Sequence, residues 1–234
     1  VNPPVRSGVL RDGPPSTDAI ALTFDDGPCP TATPEVLGLL GDQAAVATFF
    51  MIGERVRRCP DLARRVCREG HQIANHSDRH VAFRSLVPSV CVREAEKAGR
   101  TFRAVVGVAP RFYRPPKGLI DRPVVRALGA AGYFVATWSR MPGDYFPWHT
   151  SARIIRRLAR VRPGDIVVLH DGLGLRAEPD RARTLAVLPW FLREVKARGL
   201  RLVSIAELLG LPPYFPDDPS APDAPSQGRS RWST

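Results

Sequence analysis

The 234-residue sequence contains no run of about 18 apolar residues, so no segment reads as a membrane-crossing helix. Its first residues, VNPPVRSGVLRDGPPSTD, lack the apolar centre of a secretory leader. That leaves a cytoplasmic protein, or an envelope or secreted one whose leader has been removed. The four cysteines, Cys29, Cys59, Cys67 and Cys91, include no CxxC pair, which argues against a zinc ribbon. On one helix Cys59 and Cys67 would stand about 12 Å apart, beyond the ~7 Å that a disulfide can bridge. No GxGxxG or GxxxxGKS loop follows the first strand-like run, so nucleotide binding of either type has no support. No basic tract interleaved with aromatics favours nucleic acid, and no internal repeat is present.

What is present is a globular composition, 44% hydrophobic and 24% charged, of a length suited to one domain. Lys and Arg outnumber Asp and Glu by 34 to 23, a net charge of +11. Scattered over helix faces, these cations read first as solvated surface and second as electrostatic attraction to anionic cell-wall polymer. Residues 1–18 carry Pro3, Pro4, Pro14 and Pro15 with Gly8 and Gly13, and read as a linker or an arm laid over the domain. Residues 212–234, rich in Pro, Ser and Asp, are expected to be mobile. Residues 19–211 form the expected single domain.

Within it, seven short apolar runs read as strands: Ile20–Phe24, Ala45–Ile52, His71–Asn75, Arg111–Arg114, Tyr133–Trp138, Asp165–His170 and Leu200–Ile205. Between them, Pro60–Glu69, Pro123–Ala131, Ser151–Val161 and Arg181–Arg198 show helical period. Alternating strand and helix implies an α/β fold with parallel strands, as a barrel or a doubly wound sheet. In either, the carboxyl ends of the strands share one rim. Asp25 and Asp26, His76, Arg114, Trp138 and His170 all stand at such ends.

His76 and His80 are four apart, which on a helical turn places both imidazoles on one face at metal-ligand spacing. Taken alone the pair is a modest signal, because five histidines produce such spacing by chance at an appreciable rate. Asp26 supplies a third donor, and two histidines with one carboxylate leave a coordination position open for polarising a carbonyl and activating water. Asp25 is then the candidate base, Arg114 the group that keeps it ionised, and His170 the acid that protonates a departing amine. Read singly, His170 reads first as an ordinary satisfied strand-end histidine and Arg114 as a surface ion-pair partner.

The motifs TFDDGP (23–28), ATFFMIG (47–53), EGHQIANHSDRH (69–80), YRPPKG (113–118), TWS (137–139) and VVLHDG (167–172) stand in an order and spacing that resembles the polysaccharide deacetylases of carbohydrate esterase family four, the nodulation-B homology domain. The resemblance spans about Ile20 to Leu211. It implies a distorted (β/α)7-type barrel, a divalent metal on Asp26, His76 and His80 (zinc first; cobalt, nickel or iron by the same donors), Asp25 as base and His170 as acid. It also implies an oxyanion-holding backbone N–H at Lys117, and substrate contacts at Trp138, Pro115 and Pro116.

Two departures stand out. Lys117 replaces a residue that is commonly aromatic. WSRMPGDY replaces the family's DxxDW pattern, so Met141 stands where the first acid is expected and Asp144 at the second. Asp144 is then the candidate partner of His170; without it, His170 would work unpartnered at a lower pKa. The implied activity is hydrolysis of N-acetyl groups on amino-sugar polymers or oligomers of peptidoglycan or chitin type, by a monomer. The alternatives are deacylation of a small glycoside, a lipid-linked sugar or an O-acetyl ester, and a non-catalytic module that binds cell-wall glycan.

Overall fold

The computed structural model describes residues 8–81, 87–177 and 179–216. Among them the chain runs β1 (Ala19–Gly27), α1 (Ala32–Gly41), β2 (Thr48–Met51), α2 (Gly53–Arg58), α3 (Pro60–Arg68), β3 (Gln72–Asn75), α4 (Pro88–Val106), β4 (Phe112–Tyr113), α5 (Arg122–Ala130), β5 (Phe134–Val135), α6 (Ser151–Leu158), β6 (Ile166–His170), α7 (Ala182–Ala197), β7 (Arg201–Val203) and α8 (Ile205–Leu209). Every strand pairing is parallel, in the order β5-β4-β3-β2-β1-β6, with β7 joined to the first residues of β1. Beyond β5 the chain reaches β6 through a bridge between Arg140 and Val167, so the curled sheet almost closes on itself. This is the distorted (β/α)7-type barrel, and each expected strand is present, most of them trimmed at the ends.

Alternation along β1 explains the curl. Ile20, Leu22 and Phe24 pack outward with Phe49, Met51, Val167 and Leu169 against α1 and α7. The opposite face carries small residues, Ala19 and Ala21, packed with Ala74, Ala136 and Phe112 and plugged by Ile205 and Leu208 of α8. Period 2 puts Thr23 and Asp25 on that same inner face, toward the rim.

Helix ends follow local chemistry. Pro60 and Pro88 open α3 and α4, where a missing N–H costs nothing. The Asp121 and Thr150 side chains accept the backbone N–H groups of Val124 and Arg153 and so cap α5 and α6.

Three expectations need correction. The segment expected to be mobile from Pro212 is anchored as far as Pro216: Tyr214 bridges Pro110, the Arg111 N–H donates to the Pro213 carbonyl, and the Phe215 ring meets Tyr133 edge-on at 5.1 Å. The remainder of that segment, and residues 1–7 of the expected arm, lie outside the described residues. The strand expected over Leu200–Ile205 ends at Val203, because the Ser204 hydroxyl caps α8 by accepting the Glu207 N–H. Finally, His76 and His80 are not on a helical turn; they sit in the bend that follows β3, where Ser77 and His80 adopt left-handed φ values of 66° and 55°. All four cysteines are free.

Candidate active site

The rim is set by strand register. In β1, Asp25 pairs with Phe50 while Gly27 pairs with Met51, so Asp26 is an extra residue, bulged at φ 74°. In a regular strand Asp25 and Asp26 would face opposite sides of the sheet; a bulge re-aims one of them, so two adjacent carboxylates can serve the same end of the barrel. Asp25 is the register partner of His170 on β6, so these two residues stand side by side about 4.8 Å apart. The ladder continues past the strands: the His76 N–H donates to the Met51 carbonyl and the Arg114 N–H to the Asn75 carbonyl, each at 2.9 Å.

Asp26, His76 and His80 converge, with donor atoms all within 4.8 Å of one another. Asp26 Oδ1 lies 3.4 Å from His76 Nε2 and 3.1 Å from His80 Nε2. Burial raises the Asp26 carboxyl, but in the absence of a metal the two imidazoles, as protonated hydrogen-bond donors, outweigh it and hold the group well below the ordinary carboxylate range. His76 Nδ1 faces the Arg114 carbonyl at 2.8 Å and donates there, so in the neutral imidazole Nε2 presents a lone pair toward Asp26. Asp26 Oδ1 itself is buried and accepts no hydrogen bond of good geometry. A bare carboxylate oxygen beside a lone-pair nitrogen is repulsive unless a cation lies between them, so this donor set fits a divalent ion, and the carbonyl behind His76 supplies its orienting contact.

Arg114 is wholly buried, and its Nη1 donates to Asp25 at 2.6 Å and to the Thr23 hydroxyl at 2.8 Å. Nη2 donates to the Thr137 carbonyl, and the guanidinium lies 3.9 Å above the Phe50 ring and 5.7 Å from Trp138. Burial lowers the Arg114 pKa, and Asp25 opposes that shift.

On the other side, the Asp144 carboxylate is fully enclosed. It accepts from His170 Nδ1 at 3.1 Å, from the His170 backbone N–H at 2.8 Å and from the Thr184 hydroxyl at 2.8 Å. Burial would lower the imidazole, but Asp144, helped by Asp25 and Asp26, raises it to about 9. Met141, at the position of the missing acid, is exposed and receives the Tyr145 hydroxyl at 3.8 Å.

Lys117 has φ 58° in a tight turn over Pro116–Gly118; Pro115 and Pro116 are buried, and Gly118 approaches Trp138 so closely that a Cβ there would meet the ring at 2.6 Å. Three contributors escaped the sequence reading. Thr184 lies 40 residues from the carboxylate it steadies, a separation no local pattern reveals. Tyr145 lays its ring 4.7 Å from His170, and its place beside Asp144 was the available signal. Asp171 accepts from the Thr33 hydroxyl, which in turn accepts the Cys29 N–H, tying the β6 loop to the turn after β1. Burial pushes the Asp171 carboxyl up to about 7.

An α/β barrel whose carboxyl rim gathers two carboxylates, three histidines and a buried arginine belongs to a hydrolytic class of site. The polysaccharide deacetylase family profile matches residues 12–136. A peptidoglycan-N-acetylglucosamine deacetylase of Bacillus cereus is 39% identical over 203 residues, covering 86% of this chain and 92% of the relative. A chitooligosaccharide deacetylase of a Bradyrhizobium species is 34% identical over 199 residues, 82% and 91% respectively. Among solved structures, a peptidoglycan N-acetylglucosamine deacetylase superposes with a TM-score of 0.81 at 25% identity, covering 89% of this chain and 96% of that one. A pseudoenzyme of carbohydrate esterase family four from Bacillus anthracis shares the fold, with a TM-score of 0.77 at 22% identity, 86% and 69% covered. The chain belongs to the polysaccharide deacetylase family and is a carbohydrate deacetylase, an amide hydrolase.

Proposed function

We propose that the protein is a metal-dependent hydrolase that removes N-acetyl groups from amino-sugar polymers or oligomers of peptidoglycan or chitin type. The observation that carries this is the meeting, on one rim, of the Asp26, His76 and His80 donors with Asp25 held by Arg114 and His170 held by Asp144. A bound divalent ion, zinc first and cobalt, nickel or iron by the same donor chemistry, would polarise the acetyl carbonyl and lower the pKa of a water.

Asp25 takes the proton of the attacking water, and the Arg114 guanidinium fixes it in direction. His170, charged at neutral pH and anchored by Asp144, gives a proton to the amine as the C–N bond breaks. Acetate and a free amino sugar leave. The Lys117 amide, in its left-handed turn, steadies the developing oxyanion, while Trp138, Pro115 and Pro116 wall the acetyl methyl. A net charge of +11 favours approach to anionic envelope polymer, which is where we place its work.

The test is acetate release from N-acetylglucosamine oligomers by zinc- or cobalt-loaded protein. Asp26→Ala and His80→Ala should each abolish it, and undiminished release by either variant would refute the assignment. Counting acetate from O-acetyl esters and small acylated glycosides in the same assay separates the alternative substrates, which would use the same residues.

A further inference from the structure

Large hydrophobic side chains that stand well exposed are few among the described residues: Val87 at 49%, Met141 at 36% and Trp148 at 71%. Two of the three lie on one loop, residues 141–149. That loop is braced. Arg157 donates to the Pro142 carbonyl at 3.0 Å, Arg183 to the Pro147 carbonyl at 2.9 Å, and His149 Nδ1 to the Gly143 carbonyl at 2.8 Å. Trp148 is therefore held out in solvent by a fixed scaffold, which its own packing does not explain, and an apolar surface displayed this way marks a contact site.

The loop also connects to the chemistry. Tyr145 lies 4.7 Å from the His170 ring, Phe146 lies 4.1 Å from Tyr145, and Trp148 lies 4.9 Å from Phe146. Three ring-to-ring steps thus lead from the imidazole to open solvent. Hydrogen bonding of His170 needs none of the last two rings.

We propose that this loop forms a sugar subsite, in which the Trp148 face carries a pyranose ring of the glycan chain beyond the residue whose acetyl group reacts; this presupposes the glycan deacetylase function above. A pyranose has an apolar C–H face bordered by hydroxyls. That matches the exposed indole face, because an aromatic ring offers broad apolar contact. A protein partner fits less well. A stable protein interface needs about 800 Å² from each side, whereas one Trp offers roughly 150–250 Å². Continuity with His170 selects the substrate chain itself as the occupant. Trp148 is a binding residue that sets the preferred chain length, and it touches no reacting atom.

The experiment compares kcat/KM for the N-acetylglucosamine pentamer with that for the dimer, in wild type, Trp148→Ala, Trp148→Leu and Trp148→Tyr. The Ala and Leu variants should lower the pentamer-to-dimer ratio about tenfold, and Tyr should restore most of it; because the side chain is exposed, all three should fold. The pentamer Kd, measured calorimetrically on the same proteins, should weaken about tenfold for Ala and Leu. If wild type binds pentamer in this Trp148-dependent way yet releases no acetate, the catalytic assignment fails while the subsite stands. An unchanged ratio together with an unchanged Kd would overturn the subsite. So would a wild-type dimer in sedimentation that Trp148→Ala dissolves, since the occupant would then be a second copy of the chain.

Discussion

Replacing Asp144 by Asn tests the acid half of the site. The wild-type carboxylate accepts three hydrogen bonds in full burial and is the main reason that His170 titrates near 9 against the lowering effect of its own burial. Asn keeps the shape and one acceptor oxygen but removes the charge. Burial then prevails, and His170 should titrate below the ordinary value of about 6.5. At pH 8 a group titrating at 9 is about 90% protonated, and one at 6.5 about 3%, so the active acid form falls about 30-fold or more. The upper limb of the kcat/KM profile should move down by at least about 2 pH units. Stability follows the same sign: a histidine raised in the folded state contributes fully below pH 6.5 and loses that contribution as pH rises through about 9, and the variant should lack this slope. Imidazole resonances read by NMR on metal-free protein give the titration directly, because a cation at Asp26 would cancel part of the elevation that Asp25 and Asp26 supply. An Asp144→Asn protein whose His170 still titrates near 9, with an unmoved upper limb, would refute the assignment.

Arg114→Met leaves Asp25 buried without its partner, and should cost about 3–5 kcal/mol in urea unfolding along with the activity. Thr184→Val removes one of three donors to Asp144 and should cost about 1 kcal/mol in urea unfolding. Gly172→Ala would bring a Cβ within 2.1 Å of the Asp26 carbonyl oxygen, so the bulge must move. Zinc affinity, measured by chelator competition, should fall at least tenfold, with about 1–3 kcal/mol lost in stability.

The strands were legible because parallel strands buried on both faces read as apolar runs, and Ile166–Leu169 is such a run. The 19-residue α4 was not. Its buried face is Cys91, Glu94, Ala95, Ala98, Gly99 and Phe102, all but Phe102 small or polar, which leaves only a faint apolar stripe, with Glu94 paired to Arg79. In α1, Pro34, Gly38 and Gly41 weaken the helical signature, and α2 is only six residues long. At the site, residue types at the strand ends, with the spacing of His76 and His80, were enough to pick out the side chains that the fold brings together: Asp25, Asp26, His76, His80, Arg114 and His170. They did not supply the mechanism of convergence, since strict alternation would separate Asp25 from Asp26. The bulge that reunites them rests on backbone conformation at Asp26, and a helical turn was wrongly expected for His76 and His80 because spacing alone does not distinguish a helix from a bend.

Met141 and Asp144 show how burial divides what can vary from what cannot. A carboxylate at an exposed position is screened and contributes little to an imidazole's charge, whereas an enclosed one acts at low dielectric. Asp144 is enclosed and is anchored from both sides, by the backbone and ring of His170 and by Thr184. Met141 is exposed, and its sulfur meets the Tyr145 hydroxyl. The exchange at 141 therefore leaves the charge on His170 intact and acts instead on the ring that lies against it. Its consequences should appear in how substrate is held along the Tyr145, Phe146 and Trp148 face, in KM more than in the pH dependence of the acid.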